Sequence, residues 1–253
     1  MIDLGHLNDL SPWLLLLAPV VIVIAYTVFG LSGFGSTVIS VPILAHFLPI
    51  SYLVPLMALL DMASATIMGT QGREHVSKDE IKRIIPFMFV GFVIGATVLV
   101  GVPDEYLRIA LGAFAMGVGL YSIVNPGVTR KFSTWWSIPV GIVGGSIATV
   151  FGAGGPIYAT YLSGRLDDKT VIRATMSALI AISAFSRALV YAVSGLILHA
   201  AIFAGFVVLA PFVWVGLKLG NAIHTGLTQQ QMRRAIGMVL VLTGGSLLAR
   251  LFF

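Results

Sequence analysis

Two glycine-rich stretches interrupt this otherwise apolar sequence without adding charge to it. The first is Gly30-Leu31-Ser32-Gly33-Phe34-Gly35-Ser36-Thr37, and the second is Phe151-Gly152-Ala153-Gly154-Gly155-Pro156. Glycine admits backbone turns closed to other residues. Ser36 suits an N-cap, and Pro156 suits the first position of a new helix. Each stretch is therefore expected to break a helix and start a half-helix whose free N–H groups point at the break. Such an end carries roughly +0.5 charge and attracts anions. Two ionisable residues, Asp61 and Arg187, fall near the middle of apolar segments. A charge at that depth costs at least about 2.5 kcal/mol, so both are expected to face a protein interior. The planar fork of Arg187 matches the oxygen pair of an oxyanion. Asp61 is a candidate proton-coupling group. The plainer alternative is a structural Asp61–Arg187 salt bridge that neutralises both. The candidate anion-binding set is Gly33, Gly35, Ser36 and Thr37 from the first half, with Gly152, Gly154, Gly155, Tyr158 and Arg187 from the second.

The elements that must position these residues are membrane helices. Of the 253 residues, 58% are hydrophobic and only 10% are charged, with a mean hydropathy of +1.00. Soluble domains carry about 25% charged residues, so this chain cannot coat a water-facing surface of its size. Apolar segments run over 12–29, 36–48, 52–70, 84–102 and 106–124, then over 134–151, 156–163, 172–197, 199–219 and 231–252. The intervening breaks are short and rich in Gly, Pro, amide or charged residues, as bundle loops are. The predicted class is an all-α, multi-pass integral membrane protein. Cysteine is absent, which excludes disulfides and thiolate chemistry. The net charge of +5 is read as basic cytoplasmic loops rather than as a nucleic-acid surface. No basic residue precedes the first apolar segment, so no secretory signal is expected there.

The two series read as copies. At an offset of 119 residues, Gly33-Phe34-Gly35 falls on Gly152-Ala153-Gly154, and Met57, Leu60, Ser64 and Ala65 fall on Met176, Leu179, Ser183 and Ala184. At an offset of 125, Pro86-Phe87 matches Pro211-Phe212, Gly91 and Gly95 match Gly216 and Gly220, and Arg108 matches Arg233. The expected organisation is repeat 1 over 1–125 and repeat 2 over 126–253, forming one transport domain. If each glycine break is a hairpin tip, each repeat makes three net crossings and the second is inverted. Arg73, Lys78, Lys82, Arg83, Arg130, Lys131, Arg165, Lys169, Arg173, Lys218, Arg233 and Arg234 then gather on one side, the cytoplasm, as the positive-inside rule requires. Inverted repeats with broken helices are a recurring transporter design, in which one repeat moves against the other about a midplane site.

Gly30-Leu31-Ser32-Gly33 matches the short Gly-x-Ser-Gly pattern of intramembrane serine proteases. A nucleophilic serine needs a nearby base, however, and no histidine falls clearly at mid-span. Neither a Walker A nor an HExxH motif occurs, so no nucleotide, metal or other cofactor is expected. The paired glycine-rich signatures, each followed by an apolar half-helix in a chain of this length, resemble those of the TauE/SafE family, also called the 4-toluene sulfonate uptake permeases. The resemblance covers nearly the whole chain. It implies a cell-membrane (inner-membrane) permease for small sulfur-containing anions such as sulfite or organosulfonates. The alternatives are a passive anion channel and, remotely, an intramembrane protease. The expected partners are the anion, the lipid bilayer, a candidate coupling ion and a candidate second copy of the chain.

The topology is directly testable, because the cysteine-free chain makes single-cysteine labelling clean. A cysteine at Lys78 should resist an impermeant thiol reagent in intact cells and react once the membrane is opened. Labelling from outside would overturn the assignment of sides.

Overall fold

The computed structural model describes residues 12–33, 35–68, 73–124, 131–222 and 229–250, so Phe34, Arg130 and His224 lie outside the described residues. The described residues form ten α-helices and no strand: α1 (Pro12–Ser32), α2 (Ser36–Leu44), α3 (Ile50–Met68), α4 (Lys78–Gly101), α5 (Asp104–Val124), α6 (Ser137–Phe151), α7 (Gly155–Ser163), α8 (Lys169–Val193), α9 (Ala200–Ala222) and α10 (Gln229–Ala249). Seven spans, in α1, α3, α4, α5, α8, α9 and the stretch Thr134–Phe151, are long and apolar enough to cross a membrane. The chain is thus an all-helical, multi-pass membrane protein. At about 1.5 Å per residue, a 9-residue helix reaches about 13 Å, less than half of a hydrocarbon core of about 30 Å. Neither α2 nor α7 can cross alone.

Helix starts differ from the hydropathy reading. The fourth segment begins at Lys78 rather than residue 84, with Asp79 and Glu80 in its first turn, where acidic side chains complement the helix dipole. The eighth begins at Lys169. Its N-cap, Asp168, accepts the backbone N–H groups of Thr170 (2.7 Å) and Val171 (3.4 Å). Those bonds hold the Asp168 carboxyl below the usual carboxylate range. Hydropathy marks only where a helix meets lipid, whereas capping sets where it starts.

Hydrogen bonds between turns sort the helix ends. At one end Ile50 N donates to Asp104 (2.7 Å), and Arg250 donates to the His46 carbonyl (3.0 Å). The α2–α3 turn, the α4–α5 turn and the tail of α10 therefore meet there. At the other end of α4, Ser77 N donates to Thr175 (3.0 Å) and Phe132 N donates to the Gly164 carbonyl (2.9 Å). Glu80, only 3% exposed, receives Arg165 (2.9 Å), Arg83 (2.9 Å) and the Tyr161 hydroxyl (2.7 Å). The α2–α3 and α7–α8 turns, equivalent in the sequence correspondence, thus lie at opposite ends of the bundle.

The most extensive helix pairings are α4 with α6, α5 with α10 and α1 with α9. Each joins the first half of the chain to the second, and glycine makes each one tight. A Cβ at Gly145 would lie 2.5 Å from the Met88 carbonyl oxygen, and one at Gly220 would lie 2.5 Å from that of Thr27. A Cβ at Gly91 would overlap the Ile142 carbonyl. These seams are the small-residue interfaces that let membrane helices approach backbone to backbone. Large apolar side chains such as Leu15, Val93, Val207 and Leu242 project outward on the opposite faces, as a lipid contact requires.

Gly91→Val should overpack the α4–α6 seam and cost at least about 1–3 kcal/mol. Gly117→Ala, where a Cβ meets nothing within 4 Å, should be neutral or stabilise by up to about 1 kcal/mol through helix propensity. Thermal unfolding of the two variants in detergent checks both outcomes.

Candidate functional site

The two breaks turn by different means. Gly33 and Gly35 have φ of +78° and +109°, and Gly152 has φ of +71°, a region that a Cβ makes costly. Gly154, expected to serve the turn, has φ of −68°. It is constrained instead by close approach, since a Cβ there would lie 2.7 Å from the Gly144 carbonyl oxygen where α7 folds back on α6. The N-cap expectation for Ser36 is also corrected. Gly35 caps α2, and Ser36 is the first helical residue. Its hydroxyl donates to the carboxylate of Asp61, at 2.9 Å.

The half-helix N-termini are unequal donors. In α2 the first intrahelical bond is Ile39 N to the Gly35 carbonyl, so the N–H groups of Ser36, Thr37 and Val38 lack an intrahelical acceptor. In α7, Pro156 has no N–H and Ile157 N already bonds to the Gly154 carbonyl. Only Gly155 remains there as a free N-terminal donor.

Side chains from elsewhere bond to carbonyls in the last turns of the helices entering the breaks, one of which, that of Ala148, also accepts the Gly152 N–H. Arg173 donates to the Gly30 carbonyl at the end of α1 (3.0 Å). At the end of α6, Arg187 donates to the Ala148 carbonyl (2.8 Å), the Tyr191 hydroxyl to Thr149 (2.5 Å) and the Thr37 hydroxyl to Gly152. Both arginines come from α8, and a cation at a helix C-terminus complements the negative end of its dipole. The Thr37 bond ties the tip of one hairpin to the tip of the other.

Asp61 on α3 and Arg187 on α8 form an ion pair, with Nη2 to Oδ2 at 3.2 Å and both side chains 2% exposed. The other carboxylate oxygen, Oδ1, accepts the Tyr26 hydroxyl (2.8 Å) as well as Ser36. Arg187 also donates Nε to the Ser183 carbonyl (3.4 Å). A guanidinium has five N–H groups. Three are thus engaged, leaving one on each terminal nitrogen without an acceptor among the described residues.

A small cavity of about 20 Å³ lies where these parts meet, lined by Gly35, Ser36, Thr37, Asp61, Gly152, Gly154, Gly155, Tyr158 and Arg187. The apolar part of its wall includes Phe29, Val38 and Ile180. This volume holds about one water molecule. The Tyr158 hydroxyl is buried with no hydrogen-bond partner among the described residues. A buried orphan polar group is uncommon, and here it borders the cavity. Of the residues expected to gather, Gly33 alone stands off the wall, against Ser177 and Arg173. The side chain of Ser32 lies outside the described residues. Sequence reasoning did not find Tyr26 or the capping role of Arg173, and it left Tyr191 and Ser183 as polar residues in spans without a site role. An ordinary tyrosine in an apolar helix gives no sign that it faces a carboxylate, but an arginine four residues into α8 could have been paired with the end carbonyls of the broken helices.

The model of the family described as "Sulfite exporter TauE/SafE" matches residues 18–247. The "Probable inner membrane transporter protein TsaS" of Comamonas testosteroni is 26% identical over 198 residues, covering 78% of this chain and 83% of that protein. No solved structure matches.

Variants of the ion pair separate packing from binding. Arg187→Ala alone leaves Asp61 buried and unpaired, a cost of about 3–5 kcal/mol. The double variant Arg187→Ala with Asp61→Ala should recover most of that stability yet bind no anion, while Asp61→Asn should still bind. Anion-dependent thermal shift on the set gives the answer, and full binding by the double variant would reduce Arg187 to a structural partner.

Proposed function

The chain belongs to the sulfite exporter TauE/SafE family of membrane transporters, and on that premise we propose that it carries a small sulfur-containing anion, such as sulfite or an organosulfonate, through the cavity between the hairpin tips. One observation carries the reading. Arg187 lines the cavity with N–H groups beyond the three it gives to Ser183, Ala148 and Asp61, and the start of α2, whose N–H groups lack intrahelical acceptors, borders the same cavity. Fork and helix N-terminus together suit an oxyanion with several acceptor oxygens. The orphan Tyr158 hydroxyl is a further donor for one of those oxygens. The substrate set is accordingly Ser36, Thr37, Gly154, Gly155, Tyr158 and Arg187, with the Gly35 and Gly152 turns holding the tips.

A space of about 20 Å³ is too small for a sulfur atom with three oxygens, so the tips must part to load it. That favours a carrier working by alternating access over a standing channel. We read the halves of the chain as inverted repeats, supported by the equivalent α2–α3 and α7–α8 turns lying at opposite ends. The moving bodies differ from a simple repeat-against-repeat division. The backbone-tight seams bind α1 to α9 and α4 to α6, which favours two crossed bodies, each carrying one hairpin. The name of the Comamonas relative supports placement in an inner membrane.

Purified protein screened against sulfite, methanesulfonate, sulfate and acetate tests the substrate class. The preferred anion should stabilise by about 2.7 kcal/mol at a hundredfold excess over its Kd. Stabilisation by acetate with none by sulfite or sulfonate would overturn the sulfur-anion reading.

A further inference from the structure

We propose that Asp61 is the proton-coupling group of this transporter: the substrate anion and the Asp61 carboxylate compete for Arg187, and each monoanion bound brings one proton onto Asp61. The inference rests on the anion site described above and adds the coupling ion and its stoichiometry.

Charge balance is the first ground. The cavity wall carries one carboxylate and one guanidinium, so it is neutral as it stands. An added anion leaves one negative charge uncompensated in a sealed, low-dielectric space, which is costly. Arg173 of α8 is committed to the Gly30 carbonyl, fourteen residues or about 21 Å along the helix from Arg187. Asp61 is the one charged residue of α3, and α2 and α6 carry none. From α9 comes only Lys218, exposed and packed over the Trp214 ring at 3.8 Å. From α5 come Asp104, Glu105 and Arg108, grouped at its first turn, where Asp104 bonds to Ile50. Asp61 lies eleven residues beyond Ile50, about 16 Å along α3. From α1 and α8 the titratable neighbours of the pair are Tyr26 and Tyr191, and from α7 Tyr158 borders the same cavity.

The hydrogen bonds supply the second ground. Oδ1 of Asp61 is held by the Tyr26 and Ser36 hydroxyls, which come from α1 and α2 and need not move when Arg187 changes partner. Oδ2 has Arg187 as its hydrogen-bond donor among the described residues, at 3.2 Å, long for a charge-assisted bond. Arg187 stays anchored through the Ala148 and Ser183 carbonyls. The exchange balances: the Nη2–Oδ2 bond breaks, Nη2 and the free N–H groups take the oxygens of the anion, and a proton from solution bonds to Oδ2. The carboxylic acid keeps its two hydroxyl donors on Oδ1. Ligand count supplies the third ground. A metal cation needs its own shell of oxygen ligands, and Asp61 is the one carboxylate among the described residues of the cavity wall.

Methanesulfonate is the probe, because it is fully ionised near neutral pH and brings no proton of its own. Wild-type protein in weakly buffered detergent with a pH dye should take up about one proton per methanesulfonate bound. Titration calorimetry in two buffers of different ionisation heat should give the same stoichiometry without any variant. Asp61→Asn should bind methanesulfonate with no proton uptake. Binding by wild type without proton uptake, or only when sodium is present, would overturn the coupling role and leave the anion site standing. Equal proton uptake by Asp61→Asn would overturn it as well. Absence of methanesulfonate and sulfite binding by stable wild-type protein would instead sink the underlying site.

Discussion

A polypeptide that reverses direction inside hydrocarbon must find every hydrogen-bond partner within the protein. The site is organised around that constraint. The helices α1 and α6 end at the two breaks, and carbonyls near those ends are met by Arg173, Arg187, Tyr191 and Thr37. The residues that bond to this backbone are largely those that bring polar groups to the cavity. Arg187 caps α6, balances Asp61 and still has donors to spare. On the proposed reading, binding chemistry here is a by-product of repairing broken helices, in keeping with a cavity that sits between the two breaks.

Much of this was legible in the sequence because membrane burial penalises the wrong residue heavily. Glycine clusters without charge marked the breaks, and Asp61 and Arg187 could survive at mid-span only by facing each other or a ligand. The glycine spacings at 91 and 95, and at 216 and 220, read as packing faces and are used as such. What the sequence concealed depends on partners far along the chain. Ser36 looks like an N-cap until a carboxylate from α3 takes its hydroxyl. Gly154 looks like a turn residue until α7 is folded against Gly144. Tyr26 and Tyr191 have no local pattern at all, since their acceptors lie 35 and 42 residues away.

The sequence correspondence between halves is strong for the scaffold and fails at the site. At the offset of 119, Asp61 corresponds to Ile180, which lines the same cavity, and Tyr158 corresponds to Ile39. Glycine and proline positions are shared because both halves must break and pack alike. Ser64 and Ser183 correspond, but Arg187, like Asp61 and Tyr158, falls at the same offset on an apolar residue, Met68. The cavity wall is thus asymmetric, with α2 supplying most of the backbone donors and α8 the guanidinium.

The seam between α1 and α9 has a consequence for how the protein is made. Helix α1 packs most closely on one synthesised some 190 residues later, with Gly30 against Gly220. Until then the face of α1 at Val23, Tyr26, Thr27 and Gly30 lacks the glycines that seat on it, and the carbonyl of Gly30 waits for Arg173. A premature stop between α6 and α9 leaves α1 without its most extensive partner and α5 without α10, whereas α4 and α6 already have each other.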